Sequence, residues 1–380
     1  MKRNVEIDRL RAVAVVGTMY QHISLLWLWT VPTLSFMMKY SGGTEGVLLF
    51  LAISGFVISS TLIPKLDRSL HEKTGTKEVL YAFFTKRFFR ITPTAAFWIL
   101  IYLAVFSITS PEYMLGNLYA AVAALFNFIN IYYKIPEMPP NMFAVYWSLS
   151  LEEQFYLTLP IVLLACRSFR SRMLAMGVAM TISFTWSMLG SSPFHLIPIA
   201  GGVMLYLVNS RYDIFEKLRN IKLLSRAVLI SISIPLIISI FALQMLRKMD
   251  WFLLAPYHIL LTAVFVTLIT IASIGKNSII PAAMLQPLIG WFGSRSFTLY
   301  LSHVPMIYLV QYLWINYAKF FGASFDPAYN AEIFLTWAVA TALVSEFAYR
   351  MVELPTMMRG REKAKIIEET TETRAHQGAK

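Results

Sequence analysis

A single cysteine, Cys166, stands among 380 residues, so no intramolecular disulfide can form and a thiolate metal cluster is excluded. Charge is almost as scarce. Asp, Glu, Lys and Arg make up 14% of the chain, where an ordinary soluble domain carries about 25%. There is no repeat of solenoid length, and no soluble domain is expected beyond the apolar part. A small-residue cleavage site is also missing after the first apolar run. Met1-Lys2-Arg3 therefore reads as the lead into an uncleaved helix rather than a signal peptide.

What fills the chain is apolar side chain, 57% of it. Stretches of roughly 17–25 apolar residues are long enough to cross a bilayer as helix. Ten are read, at 10–29, 46–63, 93–110, 149–166, 173–190, 194–209, 227–246, 252–274, 297–317 and 331–349. The expectation is an all-α integral membrane protein with about ten transmembrane helices in one bundle. Residues 1–355 form the transmembrane domain, and 356–380 form a cytoplasmic tail that starts helical and frays. Residues 115–133 are apolar too, but Asn117, Asn127 and Asn130 interrupt them and Pro136, Pro139 and Pro140 follow. They read as a re-entrant or interfacial segment.

The basic residues orient this arrangement. With both termini cytoplasmic, only Lys39, Lys134, Arg247, Lys248 and Lys319 fall outside, which leaves 28 of the 33 Lys and Arg inside. That bias satisfies the positive-inside rule. The net charge of +12 is thus a topology signal and an attraction to anionic headgroups. Its scatter over several short loops argues against nucleic-acid binding. The expected location is the inner (cytoplasmic) membrane, crossed many times.

Within the apolar runs a few polar residues stand where a plain span has none. His22 lies about two-thirds along the first, and Arg11 guards its entrance. Ionisable groups at bilayer depth face a bundle interior or a water-filled cavity. Eleven residues at about 100° each bring the two within roughly 20° on one helix face, about 16 Å apart along the axis. Arg87 and Arg90 are spaced i, i+3 on one face at the expected start of the third span, a good clamp for phosphates. Glu152 opens the fourth span, and by helical rise it lies at a depth comparable to His22 in the outward half. A carboxylate there can orient an imidazole and raise its basicity. The adjacent Glu153 points about 100° away. Tyr300 and His303, one turn apart, face one interior. Asp8 reads as a partner for Arg9 or Arg11, and Ser54-Gly55 as a point of close helix packing. His71 and His258 receive no role.

Five stretches carry these residues: Ile7-Asp8-Arg9-Leu10-Arg11-Ala12 with His22; Phe50 to Phe56 around Ser54-Gly55; Lys86 to Pro93; Trp147-Ser148-Leu149-Ser150-Leu151-Glu152-Glu153-Gln154-Phe155-Tyr156; and Ser296 to Pro305 with Tyr349 to Pro355 downstream. In this order and spacing the chain closely resembles the membrane-bound acyltransferase family 3, integral-membrane enzymes that modify sugars and polysaccharides. The resemblance runs from Ile7 to Pro355. It implies functional roles for Arg11, His22, Arg87, Arg90 and Glu152. It departs at Phe194–Gly202, where His195 stands in place of an arginine frequent in the family, a position bearing on the acceptor.

The resemblance implies an acyltransferase of the class moving groups other than amino-acyl groups. An O-acyltransferase, an O-acetyltransferase foremost, would pass an acyl group from acyl-CoA, first of all acetyl-CoA, to a hydroxyl of a saccharide or glycolipid. No metal is implied. His22, supported by Glu152, is the expected base; Arg87, Arg90, Arg11, Tyr300 and His303 are the expected coenzyme residues. One histidine fits both direct attack and a covalent acyl-histidine. The alternative function is a proton-coupled transporter built on the buried His and Glu residues; the paired broken helices of inverted repeats are not seen.

Overall fold

The computed structural model of this chain describes residues 4–26, 44–188, 195–248, 254–280, 285–322 and 330–378, all in helices, turns and loops without a strand among them. The ends of four expected spans, at 27–29, 189–190, 194 and 252–253, lie outside the described residues. In chain order the helices are α1 (Val5–Ile23), α2 (Thr44–Glu72), α3 (Thr76–Thr109), α4 (Met114–Leu125) and α5 (Ile129–Tyr132). Next come α6 (Tyr146–Ala165), α7 (Phe169–Met188), α8 (Leu196–Tyr212), α9 (Ile214–Asn220) and α10 (Arg226–Lys248). The last are α11 (Leu254–Ile274), α12 (Gln286–Ser294), α13 (Ser296–Phe320), α14 (Asn330–Ala348) and α15 (Leu354–Gly378), with a π-helical turn at Tyr349–Glu353 before α15.

Among the described residues, Thr44–Glu72, Thr76–Thr109, Arg226–Arg247, Pro256–Ile274 and Ala331–Thr370 are long and apolar enough to cross a membrane. The other expected spans fall on α1, α6, α7, α8 and α13. Large apolar side chains such as Leu157, Ile161, Leu174, Ile238 and Leu343 are exposed, the arrangement a lipid solvent favours. The 115–133 segment forms only α4 and α5. Twelve residues rise about 18 Å, short of the roughly 30 Å hydrocarbon core. Its asparagines hold neighbouring structure: Asn117 accepts from the Met142 N–H at 2.8 Å, and Asn130 pairs with Gln154 at 3.0–3.1 Å.

The sequence suggests one bundle; the described residues form two compact units. One comprises 1–57 with 169–341, the other 58–168 with 342–380. In the first unit the start of α1 is fastened through its polar residues. The Asn4 side chain caps the helix by accepting from the Glu6 and Ile7 N–H groups. The Glu6 carboxylate accepts from the N–H groups of Asn277, Ser278 and Ile279 at 2.7–3.0 Å. Arg9 donates to the Asn277 side chain and to the Ile279 carbonyl. The charges at this helix start are therefore buried and paired, which a low-dielectric surrounding requires. Further along, α2 and α8 cross backbone to backbone. A Cβ at Gly55 would lie 2.1 Å from the Ile199 carbonyl oxygen, and one at Gly202 would lie 2.1 Å from that of Ala52. Small residues permit such approaches in membranes.

In the second unit α3 and α15 run against each other. Glu368 accepts from Lys65 at 2.7 Å and from Lys86 at 2.8 Å. Lys363 sits 4.8 Å from the centre of the Phe89 ring. These contacts explain two departures from the sequence expectation. The helix bearing Arg87 and Arg90 begins at Thr76 rather than near Pro93, so the pair sits well inside α3. The tail does not fray after its first turns: α15 continues to Gly378, held by Glu368 and Lys363. Tyr146 donates to the Ala95 carbonyl at 3.2 Å and so fixes α6 on α3.

The α2–α8 crossing yields a direct test. Gly55→Ala forces backbone from backbone and is expected to lower stability by about 1–3 kcal/mol, the usual cost of overpacking. Gly177→Ala, with nothing within 4 Å of the added carbon, is the matched control. Thermal unfolding in detergent reads both, and equal melting of the two variants would refute the close crossing.

Candidate functional site

His22 lies in the last turn of α1, half-buried, and its neighbour in the first unit is another histidine. His303 Nε2 is 3.0 Å from His22 Nδ1, and the ring centres are 4.9 Å apart. The surrounding carbonyls decide where the protons are. His303 Nδ1 lies 3.1 Å from the Leu299 carbonyl. A carbonyl only accepts, so this nitrogen carries the hydrogen, and the neutral ring keeps its lone pair on Nε2. His22 Nδ1 faces two acceptors, the Thr18 carbonyl at 3.1 Å and His303 Nε2. It must therefore carry hydrogen as well. The neutral His22 ring is left with its lone pair on Nε2, the form in which imidazole acts as a base.

Helix geometry sets this arrangement. Thr18 and His22, and Leu299 and His303, are each four residues apart, so each ring folds back onto its own preceding turn. His303 is wholly buried, and the Trp337 indole N–H donates to its backbone carbonyl at 3.0 Å. Tyr300 is buried beside it, with ring centres 5.9 Å apart, and Phe50 packs edge-on against Tyr300. Gln311 donates to the Leu25 carbonyl, tying α13 to the turn that follows α1. His22, Tyr300 and His303 are thus brought together. Arg11 lies three turns earlier on α1 and pairs with Asp8 at 2.9 Å.

The second unit gathers the other sequence-selected residues. Arg87 lies against two aromatic rings, 5.3 Å from the centre of Tyr156 and 5.7 Å from that of Phe83. Its Nε is buried without a hydrogen-bond partner. Arg90 follows one turn later, half-buried. On α6 the Tyr156 hydroxyl donates to the Glu152 carboxylate. The Glu153 Oε1 atom is buried and unpartnered. Gln154 turns to the other side, donating to the Asn127 carbonyl at 2.8 Å.

This corner combines a cation with an uncommitted N–H, a carboxylate held by a phenol, and a second carboxyl out of water. A guanidinium stacked on aromatic faces keeps its in-plane donors for oxygen ligands, so Arg87 fits an anionic group such as a phosphate. Among the described residues no group of three or more His, Cys, Asp or Glu is placed to hold a metal ion. Tyr156 ends the fourth stretch but received no role from the sequence, and Trp337 was not singled out. For Tyr156 a signal was present: it is four residues after Glu152, the spacing at which helical side chains meet. Trp337 lies 34 residues from the carbonyl it meets, and nothing local marks it.

Residues 4–345 match the family described as an acyltransferase domain. The chain is similar to O-acetyltransferase OatA of Staphylococcus aureus strain NCTC 8325 / PS 47 and of strain COL. It is 28% identical to each over 384 residues, covering 93% of this chain and 57% of the relative. A further strain COL protein, carrying a provisional O-acetyltransferase name, is 23% identical over 381 residues with the same coverage. The chain thus spans little more than half the length of these relatives. No solved structure matches it.

The proton assignment is open to measurement. In protein labelled with ¹⁵N-histidine, His22 is expected to show a protonated Nδ1 and a bare Nε2 in its neutral form. His303→Leu removes one of the two acceptors and should shift the His22 Nδ1 resonance. A neutral His22 protonated on Nε2 would reject the assignment.

Proposed function

The chain belongs to the membrane-bound acyltransferase family 3, and from that premise we propose that it is an integral-membrane O-acyltransferase. The reaction moves an acyl group, acetyl first among the candidates, from acyl-CoA to a hydroxyl of a saccharide or glycolipid. The observation that carries this reading is His22 Nδ1 lying 3.1 Å from the Thr18 carbonyl and 3.0 Å from His303 Nε2, an arrangement that leaves Nε2 to act as the base. In the proposed step His22 Nε2 takes the acceptor's hydroxyl proton as its oxygen attacks the thioester carbonyl. The carbon–sulfur bond breaks, and the coenzyme leaves as a thiol carrying that proton.

His303 holds the base in its tautomer, and Tyr300 borders the pair as a coenzyme-lining residue. Arg87 and Arg90 take the coenzyme phosphates, a role supported by the uncommitted Nε of Arg87. Arg11, paired with Asp8, is the cation at the opposite end of α1 from His22 and assists in binding the donor. Glu152, held by Tyr156, supplies a second acid–base group. The names of the relatives support acetyl as the transferred group and a hydroxyl as its acceptor. The charge bias of the loops supports ten crossings of the inner membrane with both ends cytoplasmic.

Purified protein given acetyl-CoA and a candidate glycan should release free coenzyme and gain acylated glycan. His22→Ala is expected to lower transfer by about 10²–10⁴-fold, the usual worth of a general base, with normal membrane insertion and yield. Full activity in that variant would remove His22 from the chemistry. Arg87→Ala should raise the apparent KM for acyl-CoA by roughly tenfold, since one charge-assisted contact is worth about 1.5–3 kcal/mol. An unchanged KM would reject the phosphate role.

A further inference from the structure

In the second unit three charged side chains from three helices meet at one atom. Lys65 of α2 and Lys86 of α3 both donate to Oε1 of Glu368 on α15, at 2.7 and 2.8 Å. Two ammonium groups thus share a single carboxylate oxygen. The side chains of Lys65, Lys86 and Glu368 keep 47%, 36% and 28% of their accessibility, so a ligand from solution can reach all three.

Helix α15 does not need this bridge to dock. Gly360 lies so near α3 that a Cβ there would come within 2.4 Å of the Phe89 Cβ. Ala364, one turn later, is wholly buried, and Lys363 covers the Phe89 ring at 4.8 Å. Exposed ion pairs add little to stability. The bridge is therefore displaceable while the helix beneath it stays in place.

The cluster continues the row of cations on α3. Lys86 immediately precedes Arg87, and Arg90 follows Lys86 by four residues within one unbroken helix. That spacing sets Arg90 about 40° round the axis and about 6 Å along it. Lys65 and Lys86 thus extend the arginine pair toward α2.

Charge and oxygen count select the ligand. A lipid phosphodiester carries one negative charge, as Glu368 does, and would gain nothing by replacing it. A terminal phosphate carries about −1.5 to −2 at neutral pH and three acceptor oxygens, enough to give each ammonium an oxygen of its own. Lysine meets phosphate in this way, as a point charge. Coenzyme A bears one terminal phosphate, on its ribose, apart from the pyrophosphate linkage. We infer that Lys65 and Lys86 seat the ribose phosphate of the donor, and that Glu368 fills this seat until the donor displaces it. This rests on the acyl-CoA reading above, in which Arg87 and Arg90 take phosphate. Helix α15 then acts as an internal competitor of the donor.

The test compares coenzyme A with its 3′-dephospho form, each titrated at equilibrium against the full chain in detergent. Salt is held at about 0.15 M, where charges more than roughly 8 Å apart are screened. The unaltered protein should bind coenzyme A roughly tenfold more tightly than the dephospho form. Lys65→Met and Lys86→Met should each remove most of that difference and leave the dephospho form within about twofold. Glu368→Gln should tighten coenzyme A by roughly fivefold and leave the dephospho form within about twofold. Equal affinity for the two forms, or no gain for coenzyme A in Glu368→Gln, would overturn the seat and leave the acyl-transfer reading standing. Equal gains for both forms would overturn it too, as a general effect of charge. If Glu368→Gln loosens α15, the lysine variants and the dephospho comparison still decide. Saturable binding of neither form would sink the donor reading and the seat with it.

Discussion

A neutral imidazole has two nitrogens and one proton, and among apolar helices its neighbours decide which nitrogen keeps it. At His22 that decision falls to the Thr18 carbonyl and to His303 Nε2. His303 serves as an acceptor because the Leu299 carbonyl has already claimed its own N–H. Much of the first unit supports this relay. Glu6 binds three successive N–H groups at the start of α1, which fixes the helix along its axis. Trp337 and Gln311 fix α13 from two further directions. A shift of one helix by a single turn, about 5.4 Å, would separate the two rings.

The second unit handles charge differently. Arg87 is stabilised by ring faces that bond none of its donors, and the Tyr156 hydroxyl is committed to Glu152. Ring stacking steadies a cation and leaves its edge available. Had Arg87 been locked in a bidentate ion pair, an incoming phosphate would first have to displace a carboxylate. Arg11 is balanced differently, by the Asp8 carboxylate one turn before it.

The helical class was legible because repeated apolar runs of bilayer length are what membrane-crossing helices require, and the candidate site residues stand out as polar breaks in those runs. Pairings between distant helices were hidden. His22 and His303 are 281 residues apart, and helical spacing speaks only of neighbours within a turn or two. Depth arguments assigned Glu152 to His22. Those two residues belong to different units, and each has a further partner in its own, a tyrosine for Glu152 and a second histidine for His22. The span expected at 93–110 marks only the apolar part of a longer helix, α3, which begins at Thr76 and contains Pro93. The helix passes through it, with Lys86 and Phe89 anchored by α15 on the preceding turns. Asn117 and Asn130 looked like interruptions of an apolar segment and prove to be the residues that hold their neighbours.

Buried polar atoms in this chain divide into two kinds, those the protein bonds and those it leaves unbonded. Glu6, Asn130, Gln154 and Trp337 have their hydrogen bonds met by other parts of the protein, as folding under low dielectric demands. Arg87 Nε, Glu153 Oε1, Gln244 Oε1 and Thr262 Oγ1 do not. Replacing each by an apolar group of similar shape would cost folding little, and removing a purely structural liability of this kind can even stabilise a protein. On the proposed function, an acyltransferase acting within a membrane has to strip its substrates of water, and a group such as the unpartnered Arg87 Nε is suited to replace that water.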